Sequence, residues 1–198
     1  MRKHLLTSAF AIMAGAASAQ VAAPQFEDGP GPNLVIEVAG ADGAAKGTIT
    51  LDLLADTAPG HVERIVALAK AGAYDGVVFH RVIDGFMAQT GDVQYGKQGA
   101  DNSLAGSGGS DQGDLKAEFS DIPFQAGTVG MARARSVDSA NSQFFINLAP
   151  APFLNGEYTV FGQLIDGWDV LNDIEKGDAQ QNGAVESPDY MAKVTVVE

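Results

Sequence analysis

Arg81 is the only residue with a permanent charge in the largely apolar stretch of residues 77–83. Residues 77–83 read Val-Val-Phe-His-Arg-Val-Ile, and β-branched and aromatic residues of this kind favour a β-strand. A guanidinium among such neighbours needs hydrogen-bond acceptors, which a carboxylate, a backbone carbonyl or a ligand can supply. The strand pattern therefore leaves two interpretations of Arg81 open, a structural ion pair or a functional role.

A predicted β-hairpin positions this arginine. Residues 77–83 form its first strand, Asp84-Gly85 a two-residue turn that tolerates positive φ, and residues 86–90 the returning strand. Side chains alternate along a strand, so one face is expected to carry Val77, Phe79, Arg81 and Ile83. The opposite face then carries Val78, His80 and Val82.

Few of the residues that usually carry covalent or metal chemistry are present. The chain has no cysteine and no Gly-x-Ser-x-Gly motif of the kind that presents a nucleophilic serine. Its three histidines, His4, His61 and His80, lack the spacing of metal ligands. His80 is interpreted as a core histidine rather than a general base. A hydrolase or a metalloenzyme is therefore poorly supported, and no metal site is predicted.

The remaining hydrophobic pattern predicts short strands and two helices. Strands are indicated at residues 34–38, 47–54, 128–133, 142–148, 158–165 and 192–197. The first helix has Pro59 in its first turn, ends at Lys70, and is capped by Asp56 or Thr57. The second helix presents an apolar stripe of Trp168, Leu171 and Ile174. Strands in this number predict a mainly β fold, either a closed barrel or a sandwich.

The length and net charge of the chain indicate one acidic domain. At 198 residues with 45% hydrophobic residues, the chain can bury a sizeable core. We assign residues 34–198 to the folded domain and residues 20–33, rich in proline and glycine, to a flexible lead-in. The formal net charge is −13, and without a basic stripe a nucleic-acid partner is not expected.

Residues 93–125 form a long segment whose role the sequence does not indicate. It is poor in apolar residues and contains the run Gly-Ser-Gly-Gly-Ser at residues 106–110. No strand precedes this run and no lysine-bearing helix follows it, so a phosphate-binding loop is disfavoured. The segment is predicted to be a long loop or insert of the kind that often serves function.

The first 19 residues have the features of a secretory signal peptide. Arg2 and Lys3 give a basic start, residues 5–17 are small and apolar, and Ala17-Ser18-Ala19 fits a cleavage site. The apolar run is shorter than the roughly 20 residues that span a membrane. We therefore expect cleavage after Ala19 and export to the periplasm without membrane attachment afterwards; the alternative is an uncleaved membrane anchor.

Three separated blocks resemble the cyclophilins, the peptidyl-prolyl cis-trans isomerases. The first block is the hairpin from Phe79 to Asp92. The second comprises residues 130–134 (Gly-Met-Ala-Arg-Ala) and 142–146 (Ser-Gln-Phe-Phe-Ile), and the third residues 153–156 (Phe-Leu-Asn-Gly) and 158–162 (Tyr-Thr-Val-Phe-Gly). The resemblance extends from about residue 34 to the C-terminus. It implies a closed eight-stranded antiparallel β-barrel capped by two α-helices.

The resemblance also implies roles for individual residues. Arg81 matches the family's catalytic arginine, and Gln89, a polar residue of the groove, joins it in the candidate catalytic set. The implied substrate-binding residues are Phe86, Met87, Ala132, Arg133, Ala134, Gln143, Phe145, Phe153, Leu154 and Tyr158. Strand composition alone would instead favour core packing for Phe86, Met87 and Phe145.

Four positions depart from the commonest family pattern. Phe153 stands where many members have Trp, Tyr158 where they have His, Arg133 where Asn is usual, and Asp84 where Pro is usual. The first changes are similar to bacterial members. Because Phe lacks the indole N–H donor, we expect weak binding of cyclosporin A, the family's cyclic-peptide inhibitor. Arg133 either adds a positive charge that favours acidic residues near the substrate proline or is a surface side chain that contributes only backbone contacts.

The implied activity requires no cofactor. Rotation about an X-Pro bond breaks no covalent bond, and resonance sets its barrier at roughly 18–20 kcal/mol. A hydrogen bond from Arg81 to the prolyl nitrogen would strengthen as that nitrogen regains its lone pair, which favours the twisted state. The implied partners are proline-containing polypeptides, and the implied role is to assist the folding of exported proteins.

Two other functions remain open at this stage. A proline-recognising binding module or a periplasmic chaperone would keep the pocket but have little turnover. A β-barrel ligand carrier would need an enlarged interior, which the bulky Phe and Val strand residues disfavour. The sequence names no client protein, and a monomer is the expected state.

Overall fold

One nine-stranded antiparallel sheet dominates the fold. The structure, a computed structural model, describes residues 21–198, so the predicted signal peptide lies outside the described residues. The strands are β1 (Asn33–Ala39), β2 (Ala45–Leu53), β3 (Val77–Val78), β4 (Arg81–Ile83), β5 (Met87–Thr90), β6 (Thr128–Met131), β7 (Phe144–Asn147), β8 (Val160–Asp166) and β9 (Tyr190–Val197). They pair in the order β3-β9-β1-β2-β8-β6-β7-β5-β4.

Within residues 21–198, two α-helices accompany the sheet, α1 (Pro59–Lys70) and α2 (Trp168–Asn172). The predicted start and end of α1 are confirmed, whereas α2 is shorter than its apolar stripe suggests, since Ile174 lies beyond its last turn. Lys176 Nζ donates to the carbonyl of Asn172, the last residue of α2, at 2.5 Å and to that of Ile174, just beyond it, at 2.8 Å. Neither helix has the length and apolarity needed to cross a bilayer.

The prediction of a closed eight-stranded barrel is wrong in both strand number and closure. β3 and β4 are the two edges of the sheet, although only Phe79 and His80 separate them in the chain. These two residues bond to the C-terminal part of the chain: Phe79 N–H donates to the carbonyl of Asp189 (2.8 Å), and Val185 N–H donates to the carbonyl of His80 (3.2 Å). The strand predicted over residues 77–83 is therefore interrupted, and the result is an open half-barrel.

The interruption changes which side of the hairpin faces the core. Val77 and Phe79 pack in the main core, but the next core residue is Val82, three positions later instead of two. Arg81 is therefore on the opposite face from Phe79, and the prediction that they share a face is wrong. The shift places the guanidinium outside the main core.

The hairpin turn has three residues rather than the predicted two. Arg81 in β4 pairs with Gln89 in β5, and this register leaves residues 84–86 between the strands. Gly85 has a φ of +68°, a conformation that glycine adopts without a Cβ clash. The register places the side chains of Arg81 and Gln89 next to each other on the outer face.

The segment of residues 177–184 covers the free edge of β4. Val82 N–H donates to the carbonyl of Gly183 at 2.8 Å, and Gly177 N–H donates to the carbonyl of Val82 at 2.9 Å. At the other edge, β3 is covered by the loop after β5, where Val78 N–H donates to the carbonyl of Gly96 at 2.9 Å. Irregular backbone segments therefore form hydrogen bonds with both edge strands of the half-barrel.

Side-chain alternation separates two apolar clusters. The main core includes side chains from both helices and from every long strand, among them Leu34, Ile49, Ile65, Phe144, Phe161 and Leu171. A second cluster contains Met87, Phe124, Phe145, Ala151, Leu154 and Val160. Phe144 and Phe145 are neighbours in β7 yet belong to different clusters, as period-two alternation requires. The sheet therefore has an apolar patch on its outer face as well.

Residues 21–32 contain no helix or strand but contact the sheet. Gln163 Nε2 donates to the carbonyl of Glu27 (3.1 Å), and Leu53 N–H donates to the carbonyl of Pro32 (3.0 Å). A Cβ on Gly31 would lie 2.1 Å from the carbonyl oxygen of Leu53, so only glycine fits there. These contacts tie the segment to β2 and β8.

The N-terminus of α1 is capped by a residue that is distant in sequence. Neither Asp56 nor Thr57 caps the helix, contrary to prediction. The Glu118 carboxylate instead accepts hydrogen bonds from the N–H groups of Gly60 (3.2 Å) and His61 (3.1 Å), and its Oε2 lies 2.6 Å from His61 Nδ1. The long 93–125 segment thus supplies the anion that a helix N-terminus favours.

Glu118→Ala is expected to lower the free energy of unfolding at pH 7 by about 1–3 kcal/mol, because it removes a cap and leaves buried donors unpaired. Urea denaturation measures the free energy of unfolding. The control is Glu186→Ala, a substitution at an exposed position. Burial raises the pKa of the Glu118 carboxyl, but its hydrogen bonds to His61 and Gly60 outweigh burial and hold it below the ordinary value.

A carboxyl whose pKa is lower in the folded state stabilises the fold above its unfolded pKa, and this stability is lost as pH falls through the folded value. The difference between Glu118→Ala and the wild type should therefore shrink below about pH 4. A difference that is the same at pH 7 and pH 3 would contradict this account of the cap.

Candidate active site

A small cavity opens beside Arg81 on the outer face of the sheet. Its volume is about 160 Å³, and it is lined by Arg81, Phe86, Met87, Gln89, Ala132, Arg133, Phe145, Leu154 and Tyr158. All nine belong to the twelve site residues predicted from the sequence. β4, β5, β7, the segment after β6 and the 3-10 turn at Pro152–Leu154 therefore converge on one place.

The floor of this cavity is apolar and well packed. Met87, Phe145 and Leu154 are 1%, 5% and 7% exposed. The Phe145 ring stacks on Phe124 at a centroid distance of 5.7 Å and meets Tyr158 edge to face at 5.7 Å. Such packing fixes the ring that forms the base of the cavity.

A glycine in β6 makes room for these rings. A Cβ built on Gly130 would lie 2.5 Å from Phe145 Cζ and 2.6 Å from Phe124 Cε1. Phe124 was not among the predicted site residues; it lies at the end of the 93–125 segment and is 2% exposed. Its supporting role cannot be read from spacing, because it depends on how that long segment returns to the sheet.

Four contacts hold the Arg81 guanidinium at the rim of the cavity. Nη1 donates to Gln89 Oε1 at 3.1 Å and lies 3.7 Å from Met87 Sδ. Nε donates to the backbone carbonyl of Asn182 at 2.9 Å, and Nη2 donates to Asn182 Oδ1 at 3.0 Å. A guanidinium has five N–H groups, so these contacts leave donor capacity for a ligand.

All of these acceptors are electrically neutral. Arg81 takes part in none of the ion pairs found among residues 21–198, so the sequence-based alternative of a structural ion pair is wrong. Burial lowers the pKa of Arg81 from its ordinary value and Tyr158 opposes this, but arginine keeps its charge at neutral pH. The cavity therefore contains an uncompensated positive charge.

A chain of amides extends from Arg81 into a neighbouring cleft. Gln89 Nε2 donates to Gln143 Oε1 at 3.0 Å, and Gln143 Nε2 donates to the carbonyl of Gly108 at 2.7 Å. The cleft has a volume of about 400 Å³, and Ala134 lines it together with Gln143. These two predicted residues thus lie in the cleft rather than in the cavity.

Asp92 shapes the wall of this cleft. Its buried carboxylate accepts hydrogen bonds from the N–H groups of Gln94, Tyr95, Gly106 and Gly108, at 3.1, 2.9, 2.8 and 2.8 Å. The glycine- and serine-rich run at residues 106–110 is held in this way, and it presents the Gly108 carbonyl to Gln143. This part of the 93–125 segment forms a wall of the site.

Arg133 does not present a free charge to the groove. Its guanidinium donates to the carbonyl of Glu157 at 3.1 and 3.0 Å and to that of Ala134 at 3.1 Å, and it lies 4.5 Å from the centroid of the Tyr158 ring. The sequence-based alternatives were an acid-selecting charge and a surface side chain with only backbone contacts, and neither includes the contact with the Tyr158 ring. Arg133 holds Tyr158 over the cavity.

Phe153 is the one predicted site residue that lines neither the cavity nor the cleft. It is 69% exposed, and its ring lies 5.5 Å from that of Phe86 with a tilt of 43°. Its position is on the rim, next to the cavity that Phe86 lines.

His80 does not take part in the cavity, although it precedes Arg81. It is 9% exposed, and burial, assisted by the charge of Arg81 and opposed by Asp92, lowers its pKa to about 4. The ring is therefore neutral at pH 7. This agrees with its interpretation as a core histidine.

Comparisons with known proteins identify the family of this chain. The family profile described as cyclophilin type peptidyl-prolyl cis-trans isomerase/CLD matches residues 35–196. A probable peptidyl-prolyl cis-trans isomerase of Brucella suis biovar 1 is 53% identical over 152 residues, which cover 76% of this chain and 78% of the relative. A peptidyl-prolyl cis-trans isomerase of Helicobacter pylori strain J99 is 42% identical over 137 residues, covering 67% and 78%.

Two solved structures share the fold. Cyclophilin AquaCyp293 from Hirschia baltica superposes with a TM-score of 0.68 at 23% identity, over 85% of this chain and 74% of that one. A Cryptosporidium parvum cyclophilin type peptidyl-prolyl cis-trans isomerase, crystallised in the presence of the dipeptide Ala-Pro, superposes with a TM-score of 0.69 at 25% identity, over 84% and 99%.

The profile match spans most of the chain, and the named relatives cover more than two thirds of it. The fold agrees with these matches. The chain therefore belongs to the cyclophilin-type peptidyl-prolyl cis-trans isomerases, enzymes that accelerate rotation about X-Pro peptide bonds.

Proposed function

We propose that Arg81 is the catalytic residue of this isomerase and that Gln89 assists it. The observation that carries the proposal is the charged guanidinium, held by neutral acceptors only, at the rim of an apolar cavity. In such a setting its field is not cancelled by a carboxylate and is weakly screened by water. Gln89 fixes the guanidinium through Nη1 and is itself fixed by Gln143.

The proposed mechanism is preferential binding of the twisted amide. The proline ring enters the cavity over Phe145, Met87 and Leu154, and the residue before it rotates. As conjugation is lost, the prolyl nitrogen regains its lone pair and accepts an N–H of Arg81 that the protein does not use. A barrier lowered by about 5–7 kcal/mol corresponds to an acceleration on the order of 10⁴–10⁵.

The proposed substrates are proline-containing polypeptides. Support comes from the Cryptosporidium parvum relative, which was crystallised in the presence of Ala-Pro. The adjacent cleft gives a longer peptide a polar path past Gln143 and Ala134. Acidic residues near the proline are not specifically favoured in this proposal, because Arg133 is engaged by Glu157 and Tyr158.

Arg81→Ala is expected to reduce kcat/KM for a short Ala-Pro peptide by on the order of 10²–10³, since a transition-state donor is lost. Arg81→Lys should lose most of the activity as well, because an ammonium cannot use two acceptors and still present a planar fork. A protease-coupled or NMR exchange assay measures both variants. The exposed Arg135→Lys is the matched control and should retain near-normal turnover.

Near-normal turnover of a folded Arg81→Lys variant would remove Arg81 from the mechanism. The same NMR experiment addresses the remaining alternative, a binding module with little turnover. In that case the wild-type protein would shift the peptide resonances without accelerating cis-trans exchange.

We also propose weak binding of cyclosporin A. Phe153 is exposed at the rim of the cavity and supplies no hydrogen-bond donor. Phe153→Trp adds the indole N–H and should tighten binding by about tenfold or more, measured by calorimetry. Phe153→Leu, which adds no donor, is the control. A nanomolar dissociation constant for the wild type, or equal affinities for the Trp and Leu variants, would contradict the proposal.

The proposed setting is the periplasm, where the enzyme acts as a monomer on the folding of exported proteins. Its support is the basic, then apolar, then small-residue pattern of residues 1–19. The intact mass of the protein recovered from the periplasmic fraction should correspond to a chain that begins at Gln20. A mass that retains Met1, or recovery only in the cytosol, would contradict export.

A further inference from the structure

Asn182 holds two of the three guanidinium nitrogens of Arg81. Its backbone carbonyl accepts from Nε at 2.9 Å, and its side-chain Oδ1 accepts from Nη2 at 3.0 Å. No other residue in the described part of the chain accepts from more than one nitrogen of this side chain. Asn182 lies 101 positions away in sequence and is absent from every cyclophilin-like block identified above.

The backbone of Asn182 has an unusual conformation. Its φ is +55° and its ψ is +32°, and it is the only non-glycine residue among residues 21–198 with positive φ. Asparagine tolerates this region better than most residues, but it is still uncommon there. The conformation brings the carbonyl and the side-chain oxygen of one residue to the same guanidinium.

A network around Asp178 maintains this conformation. The Asp178 carboxylate accepts from Gln180 N–H at 2.8 Å and from Gln181 Nε2 at 2.9 Å, and its carbonyl accepts from Gly183 N–H at 2.8 Å. These bonds close the turn that contains Asn182. The turn is therefore built by its own residues and does not depend on the contact with Arg81.

The turn is also fixed against the strand that carries Arg81. Gly183 and Gly177 exchange backbone hydrogen bonds with Val82, the residue after the arginine. A Cβ on Gly183 would lie 2.4 Å from Ile83 Cγ1, so glycine permits this close approach. The position of Asn182 relative to Arg81 is thus set by β4 itself.

We propose that Asn182 is a positioning residue that locks the Arg81 guanidinium in its working orientation; this inference rests on the proposed role of Arg81. A free arginine side chain samples many rotamers. Fixing it in the one rotamer that contacts the transition state costs conformational entropy. Asn182 accepts from Nε and Nη2 on one edge of the guanidinium, and Gln89 accepts from Nη1. These bonds restrict the rotamers of Arg81 before the substrate binds. The one N–H that the protein does not use, on Nη2, is then held in a fixed direction.

The informative variant is Asn182→Gly, because glycine keeps the positive φ and the backbone carbonyl while only Oδ1 is lost. We expect kcat for an Ala-Pro peptide to fall about 5- to 20-fold, an effect typical of lost orientation, with KM changed less than twofold. Ala179→Gly is the control, since it adds backbone freedom to the same exposed turn but removes no side-chain hydrogen bond and leaves the Arg81 contacts. It should retain full activity.

A spectroscopic readout separates positioning from a merely structural role. The Arg81 Nη2–H resonance, whose acceptor is Asn182 Oδ1, should be sharp and slowly exchanging in the wild type and in Ala179→Gly, and it should broaden or exchange faster in Asn182→Gly. In an Arg81→Lys background, Asn182→Gly should have less than a twofold further effect, because an ammonium does not use both acceptors.

The inference is overturned if Asn182→Gly leaves kcat and the Arg81 resonance unchanged while Arg81→Ala is inactive; the proposed catalytic role of Arg81 then stands. It is also overturned if activity falls with the resonance unchanged, or falls equally in the Arg81→Lys background. If Arg81→Ala itself remains active, the proposed function fails instead, whatever Asn182→Gly does.

Discussion

The structure depends on how one guanidinium is held without being neutralised. A carboxylate beside Arg81 would hold it more tightly but would cancel the charge that the proposed mechanism uses. The protein supplies a backbone carbonyl, two amide oxygens and a thioether instead, from Asn182, Gln89 and Met87. Because each acceptor is neutral and each is fixed by further hydrogen bonds or packing, orientation is gained while the positive charge is kept.

The fold supplies this arrangement through a sheet that is apolar on both faces. Period-two alternation in β5 and β7 places Ala88 and Phe144 in the main core and Met87 and Phe145 beneath the cavity. The break at residues 79–80 moves Arg81 to the second face, and the 93–125 segment returns to support it. That segment caps α1 through Glu118, walls the cleft through Gly108 and packs against the floor through Phe124. It is thus part of the site as well as of the fold.

Much of this organisation was predictable from the sequence, and the failures have physical causes. The strands and the convergence of nine site residues follow from alternation and from the cyclophilin-like blocks. The outward position of Arg81 was missed because the chain from Phe79 to His80 bonds to residues 185–189, which no local pattern reveals. The cap on α1 and the Asn182 contact were missed for the same reason, since both partners are distant in sequence. The Asn182-Gly183 pair did carry one local signal, because this dipeptide favours turns with positive φ.

The central claim is that the charge of Arg81, correctly oriented, favours the twisted amide. Replacement of Arg81 by citrulline, prepared by semisynthesis, tests it most directly, because the side chain keeps nearly the same shape and becomes neutral. The measurement is the cis-trans interconversion rate of an Ala-Pro peptide on the protein at saturation, by NMR exchange, which separates the rotation step from binding. The account predicts a loss on the order of 10²-fold with peptide affinity nearly unchanged. An interconversion rate equal to that of the wild type would contradict it.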